Sequence, residues 1–93
     1  MDTMDNSLPE QQLRQRAAES DLRAARQHKQ VGIAQTHQGL LNLSYERNGH
    51  NGTYQLQRFD GSGVVLARGP KRVVLQTLMT VYVIDLDEVE QND

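Results

Sequence analysis

The stretch from Asn48 to Leu86, NGHNGTYQLQRFDGSGVVLARGPKRVVLQTLMTVYVIDL, limits most what this chain can fold into. Short apolar runs rich in β-branched residues alternate there with turn signals at Asn48–Gly52, Asp60–Gly63 and Gly69–Lys71. Such runs, separated by roughly eight to ten residues, predict a small, strongly bent antiparallel β-sheet or barrel. Asn48-Gly49 and Asn51-Gly52 supply the positive φ angles of a tight hairpin. Thr53–Phe59 reads as a strand with Tyr54 and Leu56 on one face. Phe59 breaks that alternation, which predicts a bulge or bend.

Upstream, Leu40–Arg47 sets Leu41, Leu43 and Tyr45 against Asn42, Ser44 and Glu46, the alternation of a half-buried strand. Downstream, Gly63–Arg68 reads as a third strand. Lys71–Leu86 is apolar on both parities and long for one strand, so it divides into strands at Arg72–Leu78 and Val81–Leu86. Apolar residues on both faces predict burial on both sides. The second side is expected to be another copy of the chain, with Val73, Leu75, Val81 and Val83 at the interface.

Ser7-Leu8-Pro9-Glu10 has the form of a helix start, with a serine cap, a glutamate reaching back and a proline in the first turn. Good helix formers follow to about residue 30. The apolar face of that helix (Leu13, Ala17, Ala18, Leu22, Ala25) is thin. The expected organisation is a disordered N-terminus (1–7), a helix (8–30), a linker (31–39), a small β-barrel (40–86) and an acidic tail (87–93). The fold class is mainly β: one N-terminal α-helix and a five-stranded barrel of the Sm-like or SH3-like kind.

With 93 residues and 37% hydrophobic content, the chain has room for one modest core, and oligomerisation would add to it. There is no Cys, which removes disulfides and thiolate zinc sites. MDTMDNSLPE has neither a basic nor an apolar leader region, and no run has the length of a membrane span. A cytoplasmic protein with no membrane association is expected. The net charge of −2 conceals an asymmetry: residues 85–93 carry five acids, whereas residues 1–84 hold all ten bases against seven acids. The acidic end reads as a solvated tail.

No catalytic constellation is visible, so neither an enzyme nor a cofactor is expected. His28, His37 and His50 show no metal-ligand spacing. Gly61-Ser62-Gly63 lacks the lysine and the following helix of a phosphate loop. The candidate binding surface is basic. Arg58, Arg68, Lys71 and Arg72 fall at strand ends or turns, Arg14, Arg16, Arg23, Arg26 and Lys29 lie on the helix, and Tyr54 and Phe59 are stacking planes near the first set for a nucleic-acid ligand.

Asn48-Gly49, Phe59-Asp60, Val64-Val65-Leu66 and Val73-Val74 together resemble the core pattern of the Sm-like family, in its bacterial Hfq-like branch. The resemblance covers residues 48–83 and implies a ring-forming, RNA-binding barrel. Its RNA-contacting positions are substituted. The family's Tyr-Lys-His falls on Leu75, Gln76 and Thr77, its Gln-Phe on Gly61 and Ser62, and its Ile-Lys-Leu on His50, Asn51 and Gly52. Two functions therefore stand as expectations. One is a small regulatory RNA-binding homo-oligomer. The other is a protein-interaction module, an adaptor or inhibitor, on a barrel that has lost RNA binding.

Overall fold

The computed structural model describes residues 2–84. The elements run α1 (Asp2–His28), β1 (Gln30–Ile33), β2 (Leu41–Asn48), β3 (Asn51–Arg58), β4 (Val65–Gly69) and α2 (Lys71–Val81). The strands form an open antiparallel sheet in the order β1-β2-β3-β4. Both helices pack on the sheet face that carries Leu41, Leu43, Tyr54 and Leu56.

The N-terminal helix and the antiparallel strands agree with expectation; the mainly β fold with its five-stranded barrel is replaced by a mixed α/β fold, two helices on this four-stranded open sheet. The expected strands at 72–78 and 81–86 are the main correction, because Lys71–Val81 is a single helix. Val74, Leu78 and Val81 are buried at i, i+4 and i+7, the spacing of one helical face. An apolar run of mixed parity does not by its pattern alone decide between strand and helix. Its valines and threonines favour strands only weakly, and burial against α1 and the sheet overrides them. Of the expected fifth strand, Tyr82 forms an isolated antiparallel bridge to Thr36, and Val83 N donates to Gln35 O at 3.0 Å. Residues 85–86 and the acidic tail lie outside the described residues.

The segment 31–39, expected as linker, contributes most of β1, paired from Gln30↔Ser44 to Ile33↔Leu41. Helix α1 begins at Asp2, upstream of the expected start and within the stretch expected to be disordered, and it takes Pro9 into its interior. The β2–β3 hairpin closes at Asn48↔Asn51, leaving Gly49 and His50 as a two-residue loop. Gly49 has φ 63° and His50 has no positive φ, the pattern of a II′ turn. The irregularity expected near Phe59 occurs one strand over: Leu56 pairs with Ala67 and Gln57 with Val65, leaving Leu66 as the extra residue. Phe59 itself lies beyond β3.

The core joins Ala18, Leu22 and Ala25 of α1 to the sheet leucines and to Val74, Leu78 and Val81 of α2. The thin apolar face of α1 suffices because two of its buried residues are alanines, which let the helix lie close to its neighbours. Directed polar contacts fasten the end of α2 to α1. Arg14 Nη1 donates to Met79 O (3.0 Å) and Tyr82 O (2.8 Å), satisfying carbonyls that the helix end leaves open. Glu10 holds that guanidinium at 2.9 Å. Tyr82 Oη donates to Asp21 Oδ2 at 2.7 Å. Burial pushes the Asp21 carboxyl above its ordinary range, and the hydrogen bond from Tyr82 offsets part of that shift.

Candidate nucleic-acid interface

One end of the sheet collects the C-terminus of α1, the β2–β3 hairpin and the N-terminus of α2. The topology requires this. The chain leaves α1 at Lys29, whose carbonyl accepts from Tyr45 N (2.9 Å), and β4 ends at Gly69 opposite Tyr54 before α2 begins. Two open depressions lie side by side there. The larger, about 520 Å³, is lined by Arg26, Tyr45, His50, Tyr54 and Lys71, together with the hairpin backbone and Pro70. The smaller, about 400 Å³, is lined by Arg26, Lys29, Tyr45, Glu46 and Arg47. Arg26 and Tyr45 border both.

Tyr45 is held in place by a glycine. Its ring crosses the strand to occupy the space over Gly52, where a Cβ would come within 2.2–2.4 Å of ring atoms. The ring also meets Tyr54, with centroids 4.7 Å apart and planes tilted by 52°. Burial raises the Tyr54 hydroxyl above its ordinary range, the neighbouring Tyr45 adds to the rise, and Arg26 and Lys71 oppose it. The aromatic pair and the cations thus share one site.

Three of the cations occupy positions that local stability disfavours, whereas Arg26, in the last turn of α1, sits where the dipole favours a cation. Lys29 adopts φ 74°, the left-handed conformation that ends helices and that glycine adopts without cost. Lys71 and Arg72 open α2, where the helix dipole is positive, with no acidic residue in the first turn and no side-chain cap. Among the described residues one carboxylate, Glu19, pairs with Lys71 at 2.8 Å.

The structure divides the residues expected to bind RNA. Tyr54, Lys71 and Arg72 are at this end. Arg68 pairs with Gln55 and alternates with core-facing Ala67, so it lies on the open face of the sheet. Arg58 and Phe59 are at the opposite end. Arg58 is paired with Asp60 at 3.2 Å, and Asp60 also accepts from Ser62 Oγ (2.6 Å) and Ser62 N (3.0 Å). The Ser62 bonds, with Arg58 adding less, hold the Asp60 carboxyl below its ordinary range. Sequence reasoning placed Arg26 and Lys29 among the bases of the first helix without bringing them to the hairpin, and it missed Tyr45, Arg47 and His50. The detectable signal was the Asn-Gly hairpin, which brings Tyr45 and Arg47 back beside Tyr54.

The expected oligomer interface does not form one surface. Val81 is in the core at 5% exposed and Leu75 is half-buried, while Val73 and Val83 are exposed at opposite ends of α2. The Leu75-Gln76-Thr77 positions, which the Sm-like resemblance places on a fourth strand, are helical. Among the described residues, no cluster of His, Asp or Glu could hold a metal ion, and no helix is long and apolar enough to cross a membrane. No protein-family model, curated protein or solved structure matches the chain.

Proposed function

We propose that the protein binds the phosphate backbone of RNA through the end of the sheet formed by Arg26, Lys29, Arg47, Lys71 and Arg72. The observation that carries this reading is the convergence of five cations, three of them placed against local stability, Lys29 by its backbone and Lys71 and Arg72 by the dipole. Departures of this kind concentrate at functional sites. Phosphate contacts need exposed, mobile cations on a rigid frame, and these five are exposed on helix ends and a hairpin. An affinity built from such contacts falls steeply with salt, by about 0.7–0.9 log units per decade for each phosphate neutralised. The test is fluorescence anisotropy with labelled RNA across a salt series. Arg26→Ala with Arg47→Ala is expected to weaken binding and flatten the slope by about 1.4–1.8. Arg58→Ala, at the far end, is expected to leave both unchanged. No binding at low salt, or equal effects of the two changes, refutes the proposal.

A second reading, a protein-interaction module, rests on a separate observation. Phe59 is 62% exposed, and Phe59 N donates to Leu40 O while Arg58 N donates to Val64 O. Exposed Leu40, Phe59, Val64 and Val65 are thereby gathered at the end of the sheet away from the cations. Contiguous apolar surface of this kind is characteristic of protein contacts. Self-association detected by analytical ultracentrifugation and lost in Phe59→Ser supports this reading; a monomer at every concentration removes self-association from it.

A further inference from the structure

We infer that the RNA bound at this end is single-stranded, with a base stacked on Tyr45 and the phosphates on either side of it held by Arg26, Lys29 and Lys71. The inference rests on the RNA-binding reading above and adds the form of the ligand. Three observations lead to it. Tyr45 borders both depressions, so a ligand that fills them in succession passes over this ring. Both depressions are open to solvent, so a flexible ligand can occupy them side by side. A splayed nucleotide can enter such a space, whereas a duplex keeps its bases stacked on one another and offers only edges, sugars and phosphates. Finally, the ring is preorganised: it rests over Gly52 and against Tyr54, so little side-chain freedom is lost when a base stacks on it.

The backbone of Lys29 points the same way. A glycine there would relieve the left-handed strain, yet the chain carries a lysine whose side chain lines the smaller depression. Stability and binding are therefore expected to respond with opposite sign at this position.

The probes are a single-stranded RNA of about 12 nucleotides and a blunt duplex of the same sequence, within the span of strand-binding sites. The unsubstituted protein is expected to bind the strand at least tenfold more tightly than the duplex. Tyr45→Phe is expected to retain strand binding, and Tyr45→Leu to lose about tenfold. Lys29→Gly is expected to weaken strand binding severalfold while raising Tm, so loss of fold cannot account for its effect. Equal or tighter binding of the duplex overturns the inference and leaves the RNA-binding reading intact. So does unchanged strand affinity in both Tyr45→Leu and Lys29→Gly. Binding of neither probe removes the RNA-binding reading and this inference with it.

Discussion

Substituting Gly52 by alanine tests how the centre of the site is held. The new methyl carbon would fall 2.2–2.4 Å from Tyr45 Oη, Cε1 and Cζ, well inside van der Waals contact, so the ring must move. Two terms oppose each other. Removing a glycine from a strand interior gains about 0.5–1 kcal/mol of backbone entropy. Displacing the ring costs the aromatic pair, about 0.5–1.5 kcal/mol, and part of its buried area; overpacking of this kind costs about 1–3 kcal/mol in total. The net expectation is a destabilisation of about 1–2 kcal/mol, read in urea as a lower midpoint at unchanged slope. For a domain of this size that lowers Tm by about 4–15 °C. Gly32→Ala in β1 is the control, since among the described residues nothing lies within 4 Å of its added methyl and its φ is not positive; it is expected to be neutral or mildly stabilising. The decisive arm is the double variant. In a Tyr45→Ala background the clash is gone, so Gly52→Ala is expected to be neutral or stabilising. Equal destabilisation in both backgrounds would refute the packing described here.

Other contacts give further expectations. Arg14→Ala removes two charge-assisted bonds to the last carbonyls of α2 and is expected to cost about 1.5–3 kcal/mol in urea unfolding; an unchanged midpoint would show those bonds to be idle. Leu78→Ala is expected to cost about 2–5 kcal/mol, whereas Val73→Ser, exposed on the same helix, should stay within about 0.5 kcal/mol. Equal costs would contradict the helical phase of Lys71–Val81. Asp21 carries a raised carboxyl in the folded protein, so the fold binds its proton more tightly than the unfolded chain does. Its ionised form therefore opposes folding at neutral pH, and the penalty is relieved as pH falls through the raised value toward 3.8. Asp21→Asn keeps an acceptor for Tyr82, so its stability advantage should be greatest near pH 7 and shrink on acidification. An advantage that grows at low pH would reverse the sign argued here.

The hairpin and its flanking strands were legible because their signals are local. Asn48-Gly49 sets the turn, and the alternation of Leu41, Leu43 and Tyr45 sets the buried face. The helix at Lys71–Val81 was illegible for a physical reason: Val73-Val74-Leu75 and Thr77-Leu78-Met79 present apolar or β-branched residues at nearly every position. Only packing against Leu22 and the sheet leucines selects the phase with Val74, Leu78 and Val81 inside. Of the site, Tyr54, Lys71 and Arg72 were within reach of sequence, since they flank a strand and a turn. Arg26 and Lys29 were legible as bases of the first helix, but their approach to the hairpin was not, because it depends on where α1 ends and on β1 turning back beside β2. The separation of Arg58 from Tyr54 was within reach of sequence, since a strand that starts at the hairpin carries Arg58 to its far end.

The central claim is that anion recognition belongs to the end of the sheet where α1 stops and α2 starts. Titrating 15N-labelled protein with short RNA and following backbone amide shifts tests it directly. The largest changes are expected at Arg26–Lys29, Tyr45–Thr53 and Lys71–Arg72, with Arg58–Val65 unmoved. Shifts centred on Arg58, Phe59 and Val64, or spread evenly over the surface, would contradict it.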